Sequence, residues 1–282
     1  MSYVDLHCHS TASDGTLAPA DVVRLANDAG LVGLSLTDHD TIGGIAEAAA
    51  EAKKLGVRFL AGIEISAEYP RPGTMHLLGY GVDTTNPALG DLTRRLIAGR
   101  GDRNVRIIER LNQLGVAITL AEVEALAGGT IGRPHFAEVL VRKGYVSSRQ
   151  RAFDEYLGQG GKAYEDKETI TPKRAIEMIK AAGGVAVLAH PIQLRADNDS
   201  RLETELKNLV DFGLDGIEVL HSDHNDRTIE YLAALAARWN LLSTGGSDFH
   251  GGNKPHIRFG FAATRRIPVE FMDKIEARLA LG

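Results

Sequence analysis

The chain is short of several things that would otherwise fix its class. It has one cysteine in 282 residues, Cys8, which excludes an internal disulfide framework and suits a reducing cytoplasm. Its one tryptophan, Trp239, lies in a helical stretch and reads as packing. No apolar run approaches the roughly 20 residues needed to cross a bilayer. The opening residues, MSYVDLHCHS, lack a basic n-region and an apolar h-region, so no signal peptide is expected and the cytoplasm is the expected compartment. Positive charge is also in deficit. Against 37 Asp and Glu stand 32 Lys and Arg, a net charge of −5. The surface as a whole therefore does not attract nucleic acid, and an anionic substrate needs local attraction, which bound metals can supply. Internal repeats and low-complexity tracts are absent.

What remains is an ordinary globular composition, 44% hydrophobic and 24% charged, with length for one large α/β domain or a domain plus an insertion. Short apolar segments at 3–9, 33–37, 58–65, 75–80, 185–189, 216–220 and 242–246 read as strands. Helical patterns at 21–29, 45–55, 172–182, 200–212, 225–240 and 268–281 alternate with them. Pro19, Pro172 and Pro268 sit at helix starts, and Gly56, Gly183 and Gly213 at helix ends. Alternation with short connections predicts parallel strands and right-handed crossovers. Seven strands fit a closed barrel related to the eight-stranded kind; a doubly wound open sheet is the alternative. Residues 100–165 break the rhythm, with helical periodicity at 104–114, 120–127 and 135–143. They read as a helical insertion capping the substrate, which leaves 1–99 and 166–282 as the barrel. The Gly-Gly pairs at 128–129 and 160–161 read as its joints.

The histidines gather at strand ends. In Val4-Asp5-Leu6-His7-Cys8-His9, alternation sends Asp5, His7 and His9 to one face. A lone His-x-His is a weak signal, but this one falls at a C-terminal strand end, where barrel enzymes keep catalytic groups. Ser10-Thr11-Ala12-Ser13-Asp14-Gly15 carries Asp14 back toward that rim; alone, Asp-Gly is only a turn. The next strand ends in Thr37-Asp38-His39-Asp40. Glu64 lies between Ile63 and Ile65, opposed to both. His76 opens the fourth strand, His190 ends the fifth, and Ser247-Asp248-Phe249-His250 follows the seventh. Singly, each is more often a satisfied core or surface group. Jointly, they deliver a metal-ligand set to one rim. Imidazole and carboxylate without thiolate suit zinc, manganese or iron, and the ligands outnumber what one ion uses. Two or three divalent ions bridged by Glu64 fit the count.

These motifs, His7-Cys8-His9-Ser10 with Ser13-Asp14-Gly15, Thr37-Asp38-His39, Gly62-Ile63-Glu64, Ala189-His190-Pro191 and Gly246-Ser247-Asp248-Phe249-His250, resemble those of the PHP family, named for its polymerase and histidinol phosphatase members. The resemblance spans the chain except for the insertion. It implies a distorted (β/α)7 barrel and three metal positions. His7, His9, Glu64 and Asp248 would hold the first, Glu64, His76 and His190 the second, and Asp14, His39 and His250 the third.

Within that family the insertion and its Ile131-Gly132-Arg133-Pro134-His135 segment look most like a branch that removes the 3′-phosphate of nucleoside 3′,5′-bisphosphates or trims short RNA from its 5′ end. The expected reaction is attack of metal-bound hydroxide on phosphorus. Arg133 is a candidate phosphate clamp, the alternative being a surface arginine. His135 is read as a phosphate contact rather than a ligand. Lys162 after Gly160-Gly161 is a candidate contact or a solvated loop lysine. His221, Ser222 and His224 follow the sixth strand at the same rim, with helix capping by Ser222 or Asp223 as the plain alternative. His224 is the expected proton donor to the leaving oxygen. The partner is therefore a small nucleotide or a short RNA end, with no membrane and no obligatory protein partner. The rivals are a histidinol-phosphate phosphatase, for which no acidic group to meet the substrate amine is identified, and a non-catalytic nucleic-acid module. The chain ends soon after the barrel with no basic stretch, which argues against the module.

Overall fold

A computed structural model describes residues 2–70, 72–127, 131–166 and 168–281. The seven expected strands form as β1 (Tyr3–Cys8), β2 (Gly33–Leu36), β3 (Arg58–Ala67), β4 (Met75–Tyr80), β5 (Val185–Leu188), β6 (Gly216–Leu220) and β7 (Leu242–Gly245). Two more follow, β8 (Phe261–Ala262) and β9 (Arg265–Pro268), and the sheet order is β7-β6-β5-β4-β3-β2-β1-β9-β8. Beyond their ends β1 and β7 meet again. Cys8 bridges Phe249 in parallel, and the His9 and Asp248 amides donate to Phe249 and His7 carbonyls at 2.9 Å each. The barrel is thus nearly closed. Gly246 makes the seam possible, since a Cβ there would stand 2.1 Å from the Cβ of His7.

Helices cover the outside: α1 (Pro19–Asp28), α2 (Ile45–Leu55), α7 (Pro172–Ala181), α8 (Asp199–Asp211), α9 (Asp226–Arg238) and α10 (Glu270–Leu279). Between β4 and β5 come α3 (Pro87–Gln113), α4 (Leu120–Glu124), α5 (Arg133–Arg142) and α6 (Arg149–Ala152), the last running into a π-helical turn at 153–157. Leu89, Leu92 and Leu96 of α3 pack in the barrel core, whereas Ile107 and Leu111 pack with Phe136, Leu140 and Leu157 in a separate core. The boundary read at 99/100 falls inside this one helix.

Three expectations need correction. The strands are not all parallel: β4 is antiparallel to both β3 and β5. Its connection to β3 is a short loop without a helix, and an antiparallel neighbour is what such a loop can reach. Pro268 does not start the last helix; it ends β9, pairing with Tyr3, and the helix begins at Glu270. The strands β8 and β9 were missed because they are two and four residues long and turn at Ala263 with φ 51°, without an Asn-Gly signal. Of the two Gly-Gly joints, the pair at 128–129 lies outside the described residues.

Candidate metal centre

Strand ends bring the nine expected ligands into one cluster at the C-terminal rim. Ligand atoms lie within 4.8 Å of one another in five overlapping groups: His7, His9 and Asp248; His7, Glu64 and His190; His39, Glu64 and His76; His9, Asp14, His39 and His250; and, with two residues outside the expected nine, His7, Glu218 and His221. The grouping differs in detail from the one the resemblance implies, since His9 also joins the Asp14 group and His39 also joins the Glu64 group. Glu64 is central. Its Oε1 is 2.9 Å from both His76 Nδ1 and His190 Nε2, and its Oε2 is 2.8 Å from His39 Nδ1 and 3.3 Å from His9 Nε2.

His190 Nε2 shares a hydrogen bond with Glu64 Oε1, but the approaches of His7, His9 and His39 to Glu64 are close yet poorly aimed. His7 Nε2, His9 Nε2, His39 Nδ1 and Glu64 Oε2 are buried and have no hydrogen-bond partner. Buried nitrogens and oxygens rarely go unpaired. Imidazole lone pairs and carboxylate oxygens that converge without donating to one another are what a shared cation requires, so the residues fit a divalent metal centre. The electrostatics agree. Burial alone would raise the Glu64 carboxyl, but His39, His76 and His7 outweigh it and hold it well below the usual range. Burial likewise opposes ionisation of Asp248, which Lys254 and His250 nevertheless hold low.

The backbone reaches this arrangement at some cost. Of the six non-glycine residues with positive φ among the described residues, Asp40, His190 and Asp248, at 56°, 24° and 57°, belong to this site, and such strain concentrates at functional sites. Buried carboxylates hold the loops. Asp5 accepts from the Ser247 amide and hydroxyl and the Gly260 amide at 3.0, 2.6 and 2.8 Å. Asp38 accepts from the Ser10 amide and hydroxyl and the Ser13 hydroxyl at 2.8, 2.6 and 2.5 Å, fixing the loop that presents Asp14. Asp40 takes the Ser66 amide and hydroxyl at 2.7 and 2.8 Å and Arg100 at 2.5 Å. Asp5 thus shares the face of His7 and His9 but serves backbone donors.

The expected substrate contacts are dispersed. His135 is buried, and its Nδ1 accepts from the Gly132 amide at 3.0 Å. The proton therefore sits on Nε2, and burial keeps the ring neutral by lowering its pKa. Arg133 donates to the Leu157 carbonyl at 3.1 Å and lies over the Tyr164 ring. Lys162 is exposed, with its ammonium 5.6 Å from the Tyr156 ring centre; nothing among the described residues ties it to the cluster. His221 is fully buried. Its Nδ1 accepts from the Asp223 amide at 3.1 Å, and its Nε2, 3.4 Å from Asp248, is buried without a hydrogen-bond partner. Ser222 is part-buried in the turn before α9, and neither it nor Asp223 caps that helix; Asn225 does, accepting from the Thr228 amide. His224 is buried, and its Nδ1 donates to the Val219 carbonyl at 2.9 Å. That leaves a bare lone pair on Nε2. Burial lowers its pKa to about 4, so at neutral pH it has no Nε2 proton to give.

A cleft of about 620 Å³ opens beside the cluster; its wall carries His76, Phe153 and Tyr164, three arginines, Arg103, Arg133 and Arg195, and four acids, Glu68, Asp154, Glu165 and Asp166. Sequence reasoning missed Arg103. It is 2% exposed and donates only to the Asn104 side chain, at 2.8 and 3.3 Å. Burial, with Arg100 and Arg133 nearby, lowers its pKa to about 9. It is thus a charged guanidinium with no ion pair of its own among the described residues; Asp40, already paired with Arg100, is the carboxylate that acts on it. On a long helix such an arginine reads as solvent-facing, so no sequence signal marked it. Glu218 and Lys254 were also missed; a lone Glu between Ile217 and Val219 was a legible cue for the first.

With this geometry in view, similarity to known proteins is informative. The PHP domain family profile matches residues 5–212. The chain belongs to the PHP family. It is 39% identical over 249 residues to a 5′-3′ exoribonuclease of Haemophilus influenzae, covering 87% of this chain and 89% of that one. It is 36% identical over 262 residues to a 3′,5′-nucleoside bisphosphate phosphatase of Chromobacterium violaceum, covering 89% and 88%. A phosphoribosyl 1,2-cyclic phosphate 1,2-diphosphodiesterase of Eggerthella lenta is 34% identical, covering 90% and 97%. The crystal structure of an amidohydrolase from Chromobacterium violaceum, with sulfate and no metal, superposes with TM-score 0.86 at 34% identity, covering 98% and 97%. This PHP protein is a metal-dependent phosphoesterase, a hydrolase. No helix among the described residues is long and apolar enough to cross a membrane.

Proposed function

We propose that this PHP enzyme removes the 3′-phosphate of nucleoside 3′,5′-bisphosphates, leaving the 5′-nucleotide. The observation that carries this reading is Arg103, a buried cation that makes no ion pair among the described residues and lines the cleft with Arg133 and His76. An unpaired buried charge is costly unless a ligand pairs with it. A substrate with two phosphates supplies one to the metals and the other to the arginines, which recognise phosphate oxygens in forked geometry. Histidinol phosphate would bring its ammonium to the same cleft, which Glu68, Asp154, Glu165 and Asp166 line beside the arginines, so the parallel assay below decides between the two substrates.

In this reading His7, His9, Asp14, His39, Glu64, His76, His190, Asp248 and His250 hold two or three divalent ions, manganese, iron or zinc, with Glu64 bridging. The metals, when bound, supply an activated water and neutralise charge on the phosphoryl oxygens. The chain does the rest. His135 Nε2–H offers a neutral hydrogen bond to a phosphate oxygen. Arg103 and Arg133 orient the second phosphate. Phe153 and Tyr164 offer aromatic faces in the cleft. In the reaction a water oxygen bonds phosphorus, the bond from phosphorus to the 3′-oxygen breaks, and that oxygen takes a proton. The tautomer of His224 supplies no proton, so that role is not assigned to it. Lys162 reaches the substrate only by leaving Tyr156. The working environment is the cytoplasm, without an obligatory protein partner.

An RNA end with a 5′-phosphate satisfies the same arginines, so 5′-3′ trimming of short RNA is the second reading, and relatives named for both activities favour keeping it. The test is parallel incubation of manganese-loaded protein with adenosine 3′,5′-bisphosphate, a 5′-phosphorylated RNA tetramer and histidinol phosphate. Fast phosphate release from the bisphosphate supports the proposal. Faster mononucleotide release from RNA favours the second reading, and preference for histidinol phosphate overturns both.

A further inference from the structure

Glu218 is unused by the reaction as described, and its surroundings are unusual for a core carboxylate. It sits mid-strand on β6 and is 0% exposed. Its Oε1 lies 2.9 Å from His7 Nδ1, and its Oε2 accepts from the His190 amide at 2.7 Å. These are two different kinds of attachment to two ligands from two different strands. The first acts on a ring. A proton held on His7 Nδ1 by Glu218 leaves His7 Nε2 as a lone pair, and that atom is buried without a hydrogen-bond partner beside Glu64 and Asp248. The second acts on a backbone. His190 has φ 24°, outside ordinary regions for a side-chain-bearing residue, and its amide bond to Glu218 helps hold that conformation. His190 Nε2 is thereby kept 2.9 Å from Glu64 Oε1.

We propose that Glu218 is a positioning residue that sets two ligands at once, fixing the tautomer of His7 and the backbone of His190, so that one carboxylate secures the part of the centre shared by His7, Glu64 and His190. The inference rests on the metal-centre reading above. A plain structural role would need only the His190 amide and would leave metal affinity alone. Outer carboxylates that orient metal-bound histidines typically alter affinity by roughly 10- to 100-fold when removed.

Glutamine separates the two roles because it cannot serve both partners. With its oxygen toward His7, its NH2 meets the His190 amide, donor against donor. With its NH2 toward His7, it forces the proton onto Nε2 and blocks the ligand atom. The full-length protein and Glu218→Gln are stripped with chelator and titrated with manganese by calorimetry. Bound manganese per chain is measured after dialysis at a free concentration that saturates wild type. The expected result is that Glu218→Gln retains at least one ion fewer per chain and binds the affected ion roughly 10- to 100-fold more weakly, whatever the change in melting temperature of the stripped protein. Unchanged stoichiometry and affinity would overturn the proposal. Should Glu218→Gln fail to fold, Glu218→Asp decides. It keeps the charge but is one methylene too short to span both partners, so weakened manganese binding supports the proposal and wild-type binding overturns it. Absence of manganese uptake by wild type itself would sink the metal-centre reading, and this inference with it.

Discussion

Single residues in this protein carry charges that the folded chain leaves without partners. Arg103 is the clearest. Replacing it by methionine removes a desolvated charge while filling similar volume, so the unliganded protein should gain about 1 kcal/mol or more in urea unfolding. The same variant should lose most of the melting-temperature rise that phosphate or a nucleotide bisphosphate gives wild type. A stability loss without ligand would mean that Arg103 is a structural residue. His224 makes a prediction of pH dependence. Its folded pKa is depressed to about 4 from an ordinary 6.5. The unfolded chain therefore binds this proton first as pH falls. Stability from this group is fully present above pH 6.5 and is lost on the way down to 4, by about 3 kcal/mol at most. Unfolding of chelated protein at pH 7 and pH 5 should show a steeper loss in wild type than in His224→Asn; parallel losses would refute the assignment.

At the scale of elements, the β1–β7 seam is where the barrel and the site coincide. The amide of Asp248 donates to the His7 carbonyl, so the register of two strands fixes two ligands. Gly246→Ala would place a methyl 2.1 Å from His7 Cβ and 2.4 Å from His7 N. Backbone must move, which should cost about 3 kcal/mol and reduce manganese bound per chain; a variant with wild-type stability and metal content would show the seam to be slack. Much at this scale was legible. Seven strands and most helices stood in the periodicity, because apolar alternation and Pro and Gly punctuation are local. The antiparallel β4 was not legible, because strand direction depends on what the 68–74 loop can reach. The short β8 and β9 were hidden by Arg265 and Arg266 where alternation should have shown.

For the whole molecule, the candidate metal centre gathers its nine expected ligands from six of the seven barrel strands and the turns that follow them, and its occupancy should govern global stability. Ions that bind only the folded chain stabilise it by about 2.7 kcal/mol at one hundred times their dissociation constant. Chelation should therefore lower the melting temperature, and returning manganese should restore it in proportion to the logarithm of its concentration. A melting curve indifferent to chelator would count against a centre that spans the barrel. The second core around Ile107, Phe136 and Leu140 is joined to the barrel through α3, a continuous helix. We propose that this unit is the substrate cap, as its arginines on the cleft wall suggest.

The sequence by itself determined the alternation of strands and helices and the candidate ligand residues among the histidines and acids, because His7, His9, Glu64, Asp248 and their companions sit in motifs whose residue types and strand-end positions are local facts. Closure of the barrel was decided by the tertiary structure. It did not determine which atoms face one another. Only the tertiary structure placed Glu218 against His7 across 211 positions of chain, buried Arg103 without an ion pair among the described residues, and turned the proton of His224 away from the site. Those are consequences of packing and desolvation between distant segments, and no local pattern encodes them.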